Sequence, residues 1–194
     1  MKLNGLKKMV KGMILAVFLC SYPLIGDDMM LYDFESGTQG WWSFKSDDVN
    51  IVLTHETESN ANNTKGSLKI DYKYGKPGSY LGIGVEPKWV MHGKSEISAF
   101  KNGCLKISMK SVPPTQIKIE LRCSDKKAYS YTLPPVGEIW GNYSIPLSEF
   151  KNKDLPLNTE GLSISQIVII PLKAKDSECT LWLDEISIST EKLN

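Results

Sequence analysis

His55 and His92 are the only imidazoles in a chain of 194 residues, and neither is placed for catalysis. His55-Glu56 lacks a second histidine four residues on, so the zinc-protease helix pattern is absent. No Gly-x-Ser-x-Gly elbow occurs. Gly82-Ile-Gly84 lacks the third glycine and the strand-to-helix turn of a dinucleotide loop. Beyond residue 26 the cysteines are Cys104, Cys123 and Cys179, without metal-ligand spacing. An odd number leaves at least one unpaired within the chain. Two carboxylates at the right separation suffice for glycoside hydrolysis, and with 22 acidic residues spacing alone does not exclude it. Arg122 is the single arginine. A lone guanidinium among lysines marks a position where a planar fork is useful, for hydroxyls or a carboxylate. The plainer use of the same group is a cross-strand ion pair with Glu120 or Asp71.

The elements that must position these residues are strands. Leu68, Ile70, Tyr72 and Tyr74 alternate with Lys69, Asp71 and Lys73, and Leu81, Ile83 and Val85 alternate with Tyr80, Gly82, Gly84 and Glu86. The runs 104–109, 117–123, 128–133, 142–147, 166–172 and 180–188 repeat the pattern, which is the signature of half-buried strands. Clusters such as Asn60-Ala-Asn-Asn-Thr64, Lys76-Pro-Gly-Ser79, Pro113-Pro114 and Pro134-Pro135 separate them. No window carries a long helical period. Eight or more short strands predict an all-β chain, a two-sheet antiparallel sandwich of the jelly-roll kind. If 104–109 and 117–123 form a hairpin around Pro113-Pro114, matching their apolar faces turns Cys104 away from Cys123. That register predicts a buried Cys123 thiol and no disulfide between the two.

Composition narrows the function classes. The 23 basic and 22 acidic residues leave a net charge of +1, without the basic excess of a nucleic-acid binder. Lys2, Lys7, Lys8 and Lys11 precede the apolar run Met13–Cys20, followed by Pro23 and Gly26. This is the pattern of a signal peptide over residues 1–26, and the apolar run is too short to span a bilayer. Cys20 closes that run, which opens a lipoprotein alternative, but the preceding Leu19 is large. The expected location is secreted, periplasmic or in the cell envelope. Residues 27–194 then form one domain with 19 basic against 22 acidic residues.

Four segments in order carry a resemblance: Tyr32-Asp-Phe-Glu-Ser-Gly-Thr-Gln-Gly-Trp41, Gly66-Ser-Leu-Lys-Ile-Asp-Tyr72, Trp140-Gly-Asn-Tyr-Ser-Ile-Pro-Leu-Ser-Glu-Phe150 and Leu181-Trp-Leu-Asp-Glu-Ile-Ser-Ile188. Over residues 31–188 the chain resembles the carbohydrate-binding-module jelly rolls of the galactose-binding-like superfold, the family 11 type and its relatives. The residues read consistently with that fold. Phe34 is expected in the core, with Asp33 and Glu35 on the opposite side of one strand. The spacing of Leu183 and Ile186 implies a bulge at Asp184-Glu185. The resemblance implies a structural calcium held by Glu35 (or Asp33), the carbonyl near Lys65, and Asp184. Oxygen ligands of this kind suit calcium.

The resemblance also implies a non-catalytic module that binds a poly- or oligosaccharide. Sugars present flat apolar faces to aromatic rings and hydroxyls to planar polar groups. Phase along the strands selects an outward face carrying Tyr80, Arg122, Asp125, Tyr129 and Tyr131. Trp42 and Trp89 are expected in loops, and Trp41, Trp140 and Trp182 in packing. Lys69, Asp71, Lys73, Lys118, Glu120 and Arg122 make the outward surface charged, which fits an acidic polysaccharide better than a neutral glucan. The same fold also serves as a structural or protein-interaction module of the cell envelope, which is the alternative.

Overall fold

Side chains that alternate between apolar and polar can bury one face only by stacking a sheet against another sheet. The chain does this. The computed structural model describes residues 28–87, 102–160, 162–172 and 178–189. Residues 1–26, expected to be a signal peptide and containing Cys20, lie outside the described residues, as do Trp89 and His92. Among those described there are thirteen strands and no α-helix. In chain order they are β1 Met29–Tyr32, β2 Trp42–Lys45, β3 Asn50–Glu56, β4 Ser67–Lys73, β5 Leu81–Val85, β6 Cys104–Val112, β7 Ile117–Cys123, β8 Ala128–Thr132, β9 Gly141–Pro146, β10 Lys151–Asn152, β11 Leu155–Pro156, β12 Ile164–Pro171 and β13 Glu178–Ser189.

The first sheet runs β3-β4-β13-β6-β9, with β1 added along β13. The second runs β11-β10-β8-β7-β12-β5-β2. Neighbouring strands pair antiparallel throughout. The two inner faces supply the core. Leu68, Ile70, Leu81, Ile83, Leu105, Ile107, Ile119, Leu121, Ile145, Leu147, Ile169, Leu183 and Ile186 are each at most 2% exposed. These are the positions that alternation selects. The bulge falls where the Leu183–Ile186 spacing puts it. The β13–β6 register shifts between Asp184 and Ser187, and Glu185 takes a φ of +45°.

Three local readings change. Phe34 is fully buried but is not a strand residue: β1 ends at Tyr32, and Phe34 has a φ of +52°. A bulky side chain in the left-handed region is a costly conformation. Packing of the ring against Tyr32 and Trp41, with centroids 6.1 and 6.0 Å away, offsets that cost. Trp42 opens β2 and does not lie in a loop. The segments 104–109 and 117–123 do not form a hairpin. β6 pairs with β13 and β9 in the first sheet, and β7 pairs with β12 and β8 in the second. Pro113-Pro114 therefore marks the crossing from one sheet to the other.

Cys104, Cys123 and Cys179 are all buried, and none is in a disulfide. Burial pushes the Cys123 thiol up to about 12, which suppresses the reactive thiolate. Iodoacetamide at neutral pH should leave these three thiols unlabelled in the native protein and label all of them in denaturant, as mapped by mass spectrometry. Labelling of Cys123 in the native state would contradict this packing.

Candidate functional site

Two glycines in one strand shape the outer face of the second sheet. Gly82 and Gly84 of β5 stand opposite Phe44 and Trp42 of the edge strand β2. A Cβ on Gly82 would lie 2.3 Å from the Phe44 ring, and a Cβ on Gly84 would lie 2.9 Å from the Trp42 ring. Both contacts are too close for any side chain. The missing Cβ atoms let the two rings lie down over the β5 backbone. Their centroids are 5.8 Å apart with planes tilted 46°, and both side chains are half-buried. The result is an adjoining pair of aromatic surfaces, the kind of platform on which the apolar face of a sugar ring packs.

Polar groups flank this platform on the same face. Strand pairing places Val168 beside Gly84, Glu120 beside Val168, and Ser130 beside Glu120. Two residues along the strands, on the same face, Arg122 stands opposite Gln166. The Arg122 guanidinium donates to Gln166 Oε1 at 3.2 Å and lies 3.7 Å from Glu120 Oε2. Its carbon sits 5.7 Å from the centre of the Phe44 ring. Glu120 is engaged on its other oxygen by Lys118 Nζ at 2.9 Å. A planar donor fork, an amide and a carboxylate thus border two half-buried ring surfaces. This is the combination that recognises a ring of hydroxyls above an apolar face.

The expected site residues separate. Arg122 lies on this face, in ion-pair contact with Glu120 on its own strand; Asp71 belongs to the other sheet. Tyr129 and Tyr131 point inward, because they pair with Leu121 and Ile119 and share the core side of β8. Tyr129 is 5% exposed, and Tyr131 packs its ring 6.0 Å from Phe150. Asp125 organises the β7–β8 turn. It accepts from the Lys127 backbone N–H at 3.0 Å and from the Tyr129 hydroxyl at 2.9 Å. Tyr80 is 59% exposed, but it lines a separate depression with Lys45, Asp48 and Lys76. Trp42 and Phe44 were missed, although the alternation Trp42-Ser-Phe44 and the pair Gly82-Ile-Gly84 are legible together as rings over glycines.

Lys69, Asp71 and Lys73 do not share a surface with Lys118, Glu120 and Arg122. They lie on the outer face of the first sheet, where ion pairs engage them. Lys69 pairs with Asp71 at 3.2 Å, and Lys73 pairs with Glu178 at 3.2 Å. The Lys110 ammonium sits 4.2 Å from the Trp182 ring centre and 5.6 Å from that of Trp140. These aromatic faces already hold a cation.

Two of the acids proposed for a metal, Glu35 and Asp184, reach one loop, 57–66, between β3 and β4. Asp184 is fully buried at the β13 bulge. Its carboxylate accepts from Ala61 N–H at 3.0 Å, Thr64 Oγ1 at 2.6 Å and Glu185 N–H at 2.8 Å. Burial pushes its carboxyl above the ordinary range, and these donors oppose that rise. Glu35 accepts the Lys65 backbone N–H at 2.7 Å, so Lys65 meets Glu35 through its amide. Asp33 accepts from Gln39 Nε2 at 2.5 Å. Two buried amide oxygens, Gln39 Oε1 and Asn60 Oδ1, have no donor. Among the described residues, no three acid, histidine or cysteine side chains gather around one point.

The model of the family described as carbohydrate binding domain 30 matches residues 28–190. No curated protein matches the chain. Among solved structures, the chain is similar to the family 11 carbohydrate-binding module of a cellulosomal cellulase of Clostridium thermocellum. The identity is 16% over 87% of this chain and 97% of that one, with a TM-score of 0.62. A family 30 carbohydrate-binding module gives 16% identity over 86% and 89% of the two chains, also with a TM-score of 0.62. The family 30 module of a second cellulosomal cellulase of that organism gives 15% identity over 86% and 99%, with a TM-score of 0.60. At these identities the structural likeness is one of fold.

Proposed function

The chain belongs to the carbohydrate binding domain 30 family, and from that premise we propose that it holds a poly- or oligosaccharide on the outer face of the second sheet without catalysing its cleavage. The observation that carries this reading is the pair of rings, Trp42 and Phe44, laid over Gly84 and Gly82 beside Arg122 and Gln166. On the first sheet the Trp182 ring is already occupied by the Lys110 ammonium 4.2 Å from its centre. The mid-face acid, Glu120, is engaged by Lys118 and Arg122, which suits it to orienting hydroxyls. The module acts outside the cytoplasm, on the strength of the Lys-rich and apolar segments before residue 26. Affinity electrophoresis in gels containing a panel of soluble polysaccharides tests the reading. Retardation by at least one, without release of reducing sugar, is expected. Free migration in every gel overturns it.

A structural calcium belongs to the same proposal. Glu35 (or Asp33), the carbonyl near Lys65 and Asp184 are oxygen ligands of the type calcium takes, and Glu35 and Asp184 both reach the loop 57–66, through Lys65 N–H and through Ala61 N–H and Thr64 Oγ1. When bound, the ion would neutralise the carboxylates of Glu35 and Asp184 and tie the segment after β1 and the bulge of β13 to the loop 57–66. An ion that binds only the folded chain raises its stability with concentration. Exhaustive chelation should therefore lower the melting temperature, and added calcium should restore it. An unchanged melting curve removes the ion from the account.

A further inference from the structure

Resting on the reading of the second sheet as the sugar-binding face, we propose that the end of that face around Arg122 is a subsite for the carboxylate of a uronate-bearing polysaccharide. An open depression of about 530 Å³ is lined there by Glu120, Arg122, Lys126, Lys127, Ser165 and Gln166. It holds three cationic side chains against one acid. Lys126 projects from the β7–β8 turn, where its φ is +63°. Lys127 is 3.3 Å from Asp125 in the same turn. The Arg122 side chain is 40% exposed. A guanidinium carries five N–H donors, and the contacts to Gln166 and Glu120 leave others directed at solvent.

The charge balance of the whole face points the same way. Strand phase puts Lys118, Arg122 and Lys151 on it, with Lys126 and Lys127 at its turn. Glu120, Asp125 and Glu86 oppose them, leaving a net positive face. Residues 27–194 as a whole carry 19 basic and 22 acidic residues. Five basic against three acidic residues thus make this face positive on a mildly acidic body. A neutral glucan draws little from clustered ammonium and guanidinium groups, whose hydration it must disturb. A carboxylate gains charge-assisted hydrogen bonds from a planar fork, with added attraction from the lysines. Because Arg122 also touches the Phe44 ring, the carboxylate would lie beside the aromatic platform. One sugar residue could stack on the rings while a uronate meets Arg122.

The experiment compares sugars that differ in charge. Three acidic polysaccharides, β-1,4-glucuronan, polygalacturonate and alginate, are each titrated calorimetrically beside a neutral counterpart. The counterparts are cello-oligosaccharide, methyl-esterified pectin and mannan. The expected result is that at least one acidic chain binds about tenfold or more tighter than its counterpart, with the advantage shrinking as salt rises. Arg122→Ala should cut the acidic affinity about tenfold more than it cuts the neutral affinity, and Arg122→Lys should recover only part of that difference. Binding to neutral chains alone, or equal losses on both kinds with Arg122→Ala, overturns the carboxylate subsite and leaves the sugar-binding reading standing. Binding to none of the six overturns both.

Discussion

Trp42→Ala should reduce polysaccharide affinity about thirtyfold while leaving the fold intact. The indole is half-buried on an edge strand, so its loss opens no core cavity. Stacking a sugar on one indole is worth roughly 2 kcal/mol, from apolar area removed from water together with the geometric preference of an aromatic face. About 2 kcal/mol corresponds to a factor near thirty in dissociation constant. Gly82→Val should do comparable damage by another route, since its side chain would occupy space held by the Phe44 ring. Calorimetric titration measures both, and circular dichroism checks that the sheets persist. Wild-type affinity in Trp42→Ala, with the fold retained, would remove the platform from the account.

The largest stability effect is expected at Asp184. Replacing it by alanine strands the Ala61 N–H, the Thr64 hydroxyl and the Glu185 N–H in or next to the core. Each buried donor left without an acceptor costs about 1–3 kcal/mol, and Thr64 has an alternative acceptor in the Ala61 carbonyl at 2.8 Å. A total near 3 kcal/mol follows, which for a domain of this size lowers the melting temperature by about 10 °C. Asp184→Asn keeps one acceptor oxygen and should lose roughly half as much. A thermal melt of Asp184→Ala within about 1 °C of the parent would show that these bonds do not hold the loop 57–66 in place.

The fold was legible because alternation is a local property that survives packing. Leu68-Lys-Ile-Asp-Tyr72 and Ile117-Lys-Ile-Glu-Leu-Arg-Cys123 each state which side faces inward, and the structure agrees. The bulge at Asp184-Glu185 was legible for the same reason, as a break in parity between Leu183 and Ile186. Pairing is a different matter. Nothing local in 104–123 distinguishes a hairpin at Pro113-Pro114 from a crossing between sheets, because both need a turn between apolar strands.

The site was only partly legible. Parity along β8 groups Tyr129 with Tyr131 but does not give the sign, since a tyrosine can face either way and Ala128, Ser130 and Thr132 on the other side are all small enough for a core. The structure resolves it: the rings fill the core, and the Tyr129 hydroxyl reaches Asp125 at the rim. Arg122 came from composition and phase together. Trp42 and Phe44 required knowledge of which strand lies beside β5, and that partner, β2, is forty residues earlier. The glycine pair was the available signal. It is uninformative as a nucleotide motif, but in a strand it marks a place where something lies close over the backbone.

The central claim is that the sugar lies across β2, β5, β12 and β7 on the outer face of the second sheet. Two-dimensional nitrogen–proton NMR of the labelled chain, titrated with the polysaccharide fragment that binds best in the gel panel, tests it most directly. The account predicts that the Trp42 indole N–H, the Gly82 and Gly84 amides, and the Arg122 and Gln166 signals move together and saturate. It predicts that the Trp182 indole and the amides of Lys69, Asp71 and Lys110 stay still. Saturable shifts confined to the first-sheet residues, with Trp42, Gly82 and Gly84 unmoved, would contradict it.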